Sequence, residues 1–343
     1  MTRPLKTSRR DFLAISATGA AVTVLPAGTE ASAPPATTAA ITPDPLDGPN
    51  LRVAVVGVRG RGMNHVRGLQ AQPGCQVVAL CDVDSEILAR RAAECAAGTE
   101  DRAGFTVETT GDVRTLLERD DIDAIAIATP NHTHAMLACW ALDAGQHVYV
   151  EKPVSHVVGE GALIVEAAER NRRICATGTQ GRSARSVRDA IDFVHAGGLG
   201  KVHCSRGLCY KPRRPIGTVE TPRFAPATVD YDRWLGPVEY RALQRPQLHY
   251  DWHWDWNTGS GEMGNWGVHV LDDVRNNVFQ DSVALPKRIM GGGGRVALND
   301  AGQTPNVHFA FFDTGSIPVV IGLSNLPAKA GGKKSPSHPG PSS

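Results

Sequence analysis

The stretch from Val53 to Asp82 places an apolar strand, a glycine-rich turn, a helix and a second apolar strand in direct succession. The first strand runs into Gly57-Val58-Arg59-Gly60-Arg61-Gly62, and the second ends at Asp82, twenty residues beyond the turn. Glycines permit a tight turn that brings the backbone close to a pyrophosphate, whose charge is bound by free N–H groups of the next helix. The pattern predicts a dinucleotide-binding unit with these candidate contacts: Gly57, Arg59, Gly60, Arg61, Gly62 and Asp82.

Asp82 also indicates which dinucleotide would bind. A carboxylate at this position accepts hydrogen bonds from both ribose hydroxyls and repels a 2′-phosphate, so the sequence favours NAD, with NADP as the alternative. Arg59 stands where the usual G-x-G-x-x-G pattern has its second glycine. The competing interpretation is a glycine turn that joins a strand to a helix and binds no ligand.

Composition limits the classes of protein that remain. The chain has 343 residues, 41% of them hydrophobic and 21% charged, which is enough for two packed domains. The net charge of +1 gives no electrostatic reason to expect nucleic acid or an anionic membrane as a partner. No apolar run reaches the roughly 18 residues that a membrane span needs. The seven cysteines contain no Cys-x-x-Cys pair, so we expect neither a structural disulfide nor a zinc site.

The N-terminal residues are typical of an export signal and not of a folded domain. Arg9 and Arg10 precede Phe12-Leu13, an uncharged stretch and then small residues. This order predicts a twin-arginine signal peptide at residues 1–33 and hence a periplasmic or otherwise exported protein. A Pro/Ala/Thr linker is expected at 34–50. The alternative is a tail in which two arginines occur by chance.

After Asp82 the pattern predicts further alternation of helices and strands. Ser85 is expected to cap a helix from Glu86 to about Ala97. The other expected elements are a short strand at 105–107, a buried parallel strand at 123–128, a helix with Trp140 on its core face, and a strand at 147–150.

The second half of the chain is less regular. We expect a helix at 183–195, a first strand at 201–210, and strands near 286–290, 307–312 and 319–323. The basic run Lys211 to Arg214 is expected to be a solvated loop. Residues 250–257 contain three of the six tryptophans. They fit either a wall that stacks on sugar rings or a core strand with alternating tryptophans.

Several motifs together resemble the Gfo/Idh/MocA family, which is named after glucose-fructose oxidoreductase and inositol dehydrogenase. The motifs are the glycine turn, Cys81-Asp82-Val83-Asp84, Ala128-Thr129-Pro130-Asn131-His132-Thr133-His134 and Glu151-Lys152-Pro153. The resemblance implies an α/β protein with a Rossmann NAD(P)-binding domain at 51–178. A second α/β domain at 179–328 would carry a large, open, mostly antiparallel sheet. We expect the chain to be C-terminally short compared with the family, and the Lys, Pro and Ser residues predict a disordered tail at 329–343. A homo-oligomer through the sheet is a further expectation.

The resemblance also implies the site residues. Lys152 would lie at the nicotinamide and near the reacting hydroxyl, where an ammonium or a base assists departure of a proton. His269 and Asp272 match the pattern Asp-x-Gly-x-His-x-x-Asp, and Asn265 replaces its first acid, so the base role moves to His269 or Lys152. Expected catalytic residues are Lys152, Asn265 and His269. Further expected cofactor contacts are Thr129, Pro130, Asn131, His134, Glu151, Lys152 and Gln180. Expected substrate contacts are Lys152, Trp254, Asn265, His269 and Asp272. No metal is expected.

Three functions fit the sequence. The first is an exported NAD(P)-dependent oxidoreductase that acts on a sugar, sugar acid or cyclitol, with no nucleic-acid partner and no membrane span. The second is a glycosidase-like enzyme that oxidises C3 transiently so that the glycosidic bond is eliminated. The third is a non-catalytic relic that binds cofactor or sugar, which the short C-terminus and Asn265 would both suit.

Overall fold

A computed structural model describes residues 50–100, 102–283 and 285–326 of the chain. The expected signal peptide at 1–33, the linker at 34–50 except for Asn50, and the tail at 329–343 lie outside the described residues. Within the described part, no helix combines the length and the apolar character needed to cross a membrane.

The chain divides into two compact units. Unit 1 runs up to Thr177 and includes Ala227–Tyr240, and unit 2 comprises Gly178–Pro226 and the residues from Arg241 onward. The sequence had placed the segment Ala227–Tyr240 in the second domain. It belongs to unit 1 because the buried His132 donates a hydrogen bond from Nε2 to the carbonyl oxygen of Trp234 (2.8 Å) and packs against its ring.

Unit 1 is built around a six-stranded sheet in the order β3-β2-β1-β4-β5-β6. This is the strand order of a Rossmann fold, with parallel pairing of β3 with β2, β2 with β1, β1 with β4, and β4 with β5. Its strands are β1 (Leu51–Val56), β2 (Cys75–Cys81), β3 (Glu108–Thr110), β4 (Ala124–Ile127), β5 (His147–Glu151) and β6 (Cys175–Gly178). Its helices are α1 (Arg61–Gln70), α2 (Ser85–Ala97), α3 (Arg114–Leu117), α4 (Asn131–Asp143), α5 (Val158–Asn171) and the later α7 (Tyr231–Leu235).

The central strands are apolar because helices cover both faces of the sheet. Every residue of β4 is buried, as are the last four of β1, so neither strand shows the alternation of a half-exposed sheet. One side chain of α4 confirms the expected core face, since Trp140 is buried in the cluster that includes β4 and β5.

Two local predictions in unit 1 were wrong. Asp84, and not Ser85, caps α2, because its side chain accepts hydrogen bonds from the N–H groups of Glu86 and Ile87. Both residue types are good caps, and α2 begins one residue earlier than expected. The short strand lies at Glu108–Thr110 instead of 105–107, where its residues pair with the end of β2.

Unit 2 contains a four-stranded sheet in the order β7-β10-β9-β8. The β8–β9 and β9–β10 pairs are antiparallel and the β7–β10 pair is parallel, which confirms the mostly antiparallel sheet. Its strands are β7 (Ser205–Tyr210), β8 (Arg288–Gly294), β9 (Val307–Asp313) and β10 (Val319–Ser324). Its helices are α6 (Arg185–His195) and α8 (Val268–Phe279), with a π-helical turn at Met263–Gly267 and 3-10 turns at Gln180–Ser183 and Asp251–Trp254.

Helix α8 packs against this sheet and anchors the second core. Val274 and Phe279 of the helix cluster with the buried residues Val319, Ile321 and Leu323 of β10. At Gly207 of β7 a Cβ atom would lie 2.1 Å from the Cγ1 atom of Val270, so glycine permits the close approach of α8.

Two expectations in unit 2 differ from the structure. The first strand begins at Ser205 and not at Lys201, so Cys204 lies outside it; both Cys204 and Cys209 are free thiols. The tryptophan segment is not a core strand, because Asp251–Trp254 forms a 3-10 turn that Tyr250 precedes at a φ of 68°. A left-handed residue interrupts the extended backbone that alternation would require.

Candidate active site

The glycine turn between β1 and α1 has the shape of a dinucleotide cradle. Gly57 has a φ of +85°, and a Cβ there would lie 2.7 Å from the backbone of Ala128; one at Gly62 would lie 2.1 Å from the oxygen of Gly57. No described side chain caps α1. The N-terminus of the helix can therefore face an anion, and these residues fit a pyrophosphate.

Asp82 at the end of β2 is tied to this turn. Its carboxylate accepts a hydrogen bond from the N–H of Val58 (2.8 Å) and another from the N–H of Asp84 (3.0 Å). A carboxylate at this position can accept several hydrogen bonds, which suits the expected contact with a ribose hydroxyl. The bond to Val58 shows that Asp82 also shapes the glycine turn, which sequence spacing alone did not indicate.

A buried carboxylate stands directly before Lys152. Glu151 is 5% exposed; its Oε1 accepts a hydrogen bond from Nε of Arg61 (2.9 Å) and forms an ion-pair contact with Nε2 of His65 (3.0 Å). Its Oε2 accepts from the backbone N–H of Lys152 (3.2 Å). Glu151 thus joins the first turns of α1 to the backbone of the expected catalytic lysine. His65 is a member of this group that the sequence did not reveal.

The charge of Glu151 is maintained in spite of its burial. Burial raises the pKa of a carboxyl group, but the hydrogen bonds and charges of His65 and Arg61 outweigh it and lower the pKa to about 2. A negative charge therefore adjoins Lys152 at neutral pH.

The residue after Lys152 is held from the other side. The Lys152–Pro153 peptide bond is cis. The ring nitrogens of the buried His134 lie 2.7 Å from the carbonyl oxygen of Pro153 and 2.8 Å from that of Thr129. Burial lowers the pKa of His134, although the two carbonyl contacts act in the opposite direction. His134 and Asn131, 1% and 3% exposed, lie in the first turn of α4 next to Pro130. Their cofactor roles stay predictions.

In unit 2 the expected catalytic residues lie on consecutive turns. Asn265 is buried in the π-helical turn, and His269 is half-buried at the start of α8. The ring of His269 meets the ring of Trp266 at a centroid distance of 5.8 Å and an angle of 61°. The Nζ atom of Lys211 lies 4.4 Å from the centroid of the same tryptophan ring.

Asp272 has a structural partner. Arg182 donates to both of its carboxylate oxygens (2.8 and 2.6 Å) and also to both oxygens of Asp281 (2.7 and 2.9 Å). Arg182 belongs to the 3-10 turn that begins at Gln180, so the pair fixes this turn against α8. Asp272 is expected to contact substrate; the structure shows in addition that it orients the helix of His269.

In the aromatic segment, the expected substrate contact is buried and other aromatic side chains are exposed. Trp254 is 4% exposed, whereas Tyr250 and Trp256 are 48% and 53% exposed. The prediction of a solvated loop for the basic run was wrong at Arg213. Its side chain is 13% exposed and pairs with the fully buried Glu262 (3.0 Å). Sequence reasoning missed Arg213, Glu262 and Tyr250, since the contacts join distant positions.

No cluster of three or more His, Cys, Asp or Glu side chains suited to a metal ion occurs in the described part of the chain. The seven cysteines are free thiols.

Comparison with known proteins connects both units to one family. Residues 51–179 match the family model GFO_IDH_MocA, described as an oxidoreductase family with an NAD-binding Rossmann fold. Residues 200–317 match the model of the C-terminal alpha/beta domain of the same oxidoreductase family. The resemblance and the NAD-binding domain predicted from the sequence are thereby confirmed.

Curated relatives carry the name glycosyl hydrolase family 109 protein. The protein from Shewanella sp. (strain W3-18-1) is 33% identical over 154 residues, which are 44% of this chain and 33% of the relative. The protein from Shewanella pealeana is 30% identical over 205 residues, which are 58% of this chain and 45% of the relative. The matched part is thus less than half the length of these relatives.

Solved structures share the fold. The WlbA dehydrogenase from Bordetella pertussis, in complex with NADH and UDP-GlcNAcA, has a TM-score of 0.63 at 19% identity and covers 83% of this chain and 70% of its own. Levoglucosan dehydrogenase, in complex with NADH and levoglucosan, has a TM-score of 0.62 at 18% identity over 80% of this chain and 67% of its own. Together with the matches to both domain models, these findings show that the chain belongs to the Gfo/Idh/MocA family of oxidoreductases.

Proposed function

We propose that this protein is an exported NAD-dependent oxidoreductase that moves a hydride between a hydroxyl-bearing carbon of a sugar-like molecule and the nicotinamide. The observation that carries the proposal is the set of contacts next to Lys152. Glu151 accepts a hydrogen bond from the backbone N–H of the lysine and contacts side chains from the first turns of α1. The structural relatives crystallised with UDP-GlcNAcA and levoglucosan support a carbohydrate-like substrate.

Lys152 and His269 would manage the proton. NAD, when bound, supplies the hydride acceptor. Oxidation of a secondary alcohol removes a hydride from carbon and a proton from oxygen, and the proton must pass to a nearby base. An ammonium at Lys152 would stabilise a developing carbonyl oxygen, and Glu151 holds the backbone from which that side chain extends. The resemblance assigns the role of proton acceptor to His269, which is half-buried at the start of α8.

Substitution of Lys152 tests this proposal. In Lys152→Met we expect NAD affinity to stay within about threefold and turnover of a responsive sugar to fall at least about 100-fold, the usual contribution of general acid–base catalysis. Lys201→Met, at an exposed lysine of unit 2, is the matched control and should keep wild-type turnover. Turnover by Lys152→Met at the wild-type rate would refute the role of the lysine.

The relatives of glycosyl hydrolase family 109 favour a second candidate, a glycosidase that oxidises its substrate transiently. The two functions differ in their net products. A dehydrogenase accumulates NADH from a free sugar, whereas the glycosidase releases p-nitrophenol from a p-nitrophenyl glycoside without net NADH. The absorbances of NADH and of p-nitrophenol, recorded in one sample, separate the two functions.

Export is part of the proposal and rests on the paired arginines Arg9 and Arg10. Expression of the full chain and of Arg9→Lys/Arg10→Lys in a host with a twin-arginine pathway, followed by fractionation, checks it. We expect the wild type in the exported fraction and the variant inside the cells. Equal distribution of the two proteins would contradict export by this route.

A further inference from the structure

A second polar cluster lies in unit 2 and joins the basic run to the aromatic segment. The guanidinium of Arg213 donates from Nη2 to Oε1 of Glu262 (3.0 Å) and from Nη1 to the hydroxyl oxygen of Tyr250 (2.8 Å). It also lies over the rings of Tyr250 and Trp254, at 5.9 and 5.6 Å. Glu262 is fully buried, so it anchors the arginine from below and leaves Tyr250 toward solvent.

The backbone of Tyr250 is held in a conformation that side chains rarely adopt. Its φ is 68°, although the residue is not glycine and its side chain is 48% exposed. Strain of this kind recurs at ligand sites. The hydroxyl oxygen accepts from Arg213, and no described residue accepts its hydrogen. The hydroxyl is therefore available as a donor.

Lys211 extends the cluster toward His269. The N–H groups of Lys211 and Arg213 donate to the carbonyl oxygens of Ser324 (2.9 Å) and Asn325 (3.2 Å), so this short segment continues the pairing of β7 with β10. Alternate residues of an extended segment project to the same face. The ammonium of Lys211 lies over Trp266, whose edge meets the ring of His269.

The groups that Lys211, Arg213 and Tyr250 offer are donors. An ammonium and a guanidinium carry hydrogens and no acceptor, and the phenol has its acceptor side occupied by Arg213. The buried Glu262 offsets the charge of Arg213 (3.0 Å) and Asp255 is paired with Arg245 (2.9 Å), so Lys211 supplies the remaining positive charge of the cluster. A neutral sugar hydroxyl must both donate and accept, whereas a carboxylate only accepts, so a donor-only face selects a carboxylate.

We propose that Lys211, Arg213 and Tyr250 form a subsite beside His269 that binds the carboxylate of a sugar acid. This assignment rests on the proposed oxidoreductase function and narrows its substrate class from sugars, sugar acids and cyclitols to acidic saccharides. Glu262 acts as a positioning residue, because it touches Arg213 and lies too deep to meet a ligand.

Paired substrates test the subsite. D-glucuronate is compared with D-glucose, and D-galacturonate with D-galactose; the members of each pair differ by one carboxylate. Turnover with NAD and saturation-transfer NMR are measured for each compound. We expect the wild type to prefer the uronates. Tyr250→Phe and Lys211→Met should each lower the uronate-to-hexose ratio of kcat/KM about tenfold or more, while NAD affinity and the unfolding temperature stay unchanged.

Matched controls remove a tyrosine hydroxyl and a lysine ammonium outside the subsite. Tyr240→Phe and Lys201→Met change an exposed tyrosine and an exposed lysine outside the cluster, and both should keep the wild-type ratio. Equal use of uronates and hexoses by the wild type would overturn the subsite and leave the oxidoreductase function standing. Uronate binding that Tyr250→Phe abolishes, without turnover of any saccharide, would support the subsite and count against the oxidoreductase function. Absence of uronate binding would overturn the subsite.

Discussion

Individual buried side chains orient the backbone on both sides of Lys152. Glu151 brings together a guanidinium, an imidazole and a backbone N–H, and His134 bridges the carbonyl oxygens of Thr129 and Pro153. Burial of a charge is unfavourable unless hydrogen bonds compensate it, so these residues depend on one another. The side chain of Lys152 thus extends from a backbone that side-chain contacts hold in place.

The low pKa of Glu151 predicts a pH dependence of stability. The pKa is about 2 in the folded protein against an ordinary value of 4.5. Because the folded value is depressed, the stabilisation is complete above pH 4.5 and is lost as the pH falls toward 2. The gap between the two values corresponds to roughly 3 kcal/mol. Urea unfolding of wild type and Glu151→Gln should therefore differ at pH 6 and converge near pH 2.

The control for this experiment is Glu166→Gln, at a glutamate of α5 whose side chain is 71% exposed. Its stability should parallel that of the wild type over the whole pH range, since exposed ion pairs contribute little. A constant difference between wild type and Glu151→Gln from pH 6 to pH 2 would contradict the ionised state of Glu151.

Among the secondary-structure elements, the glycine turn and α1 pack closely against the ends of β1 and β4. Gly57 and Gly62 are needed for close backbone approach, whereas Gly68 in the same helix has open space around it. The helix therefore contains glycines of two kinds, one required by packing and one that only lowers helix stability.

Two substitutions within α1 separate these kinds. Gly62→Ala should destabilise the protein by about 1–3 kcal/mol and weaken NAD binding, because the new Cβ meets the oxygen of Gly57. Gly68→Ala should stabilise it by up to about 1 kcal/mol and leave NAD affinity unchanged. Urea unfolding and titration with NAD measure both effects. Wild-type NAD affinity in Gly62→Ala would show that the turn does not form the cradle.

Elements with strong local signals could be predicted, and those that depend on distant contacts could not. The strands around Asp82 were predictable because buried parallel strands are continuous apolar runs. The cap of α2 was not, since Asp84 and Ser85 are equally suitable and tertiary packing selects the first. The 3-10 turn at Asp251–Trp254 could not be read from alternating tryptophans, which suit a strand as well.

For the whole molecule, the two units contribute different parts of the expected chemistry. Lys152 and the expected cofactor residues other than Gln180 belong to unit 1, and Gln180, His269, Asn265 and the proposed carboxylate subsite belong to unit 2. The resemblance predicted this division from motifs near residues 57, 131, 152 and 269. The Arg213–Glu262 pair spans 49 residues of sequence, and no motif indicated it.

Transfer of a hydride between substrate and nicotinamide is the central claim, and isotope transfer measures it directly. The protein is incubated with NAD and a responsive sugar that carries deuterium on its carbinol carbons, and the nicotinamide is analysed by mass spectrometry. The account predicts deuterium on the nicotinamide with the wild type and with Lys201→Met, and at least about 100-fold slower labelling with Lys152→Met. An unlabelled nicotinamide after the wild type has converted the deuterated sugar would contradict it.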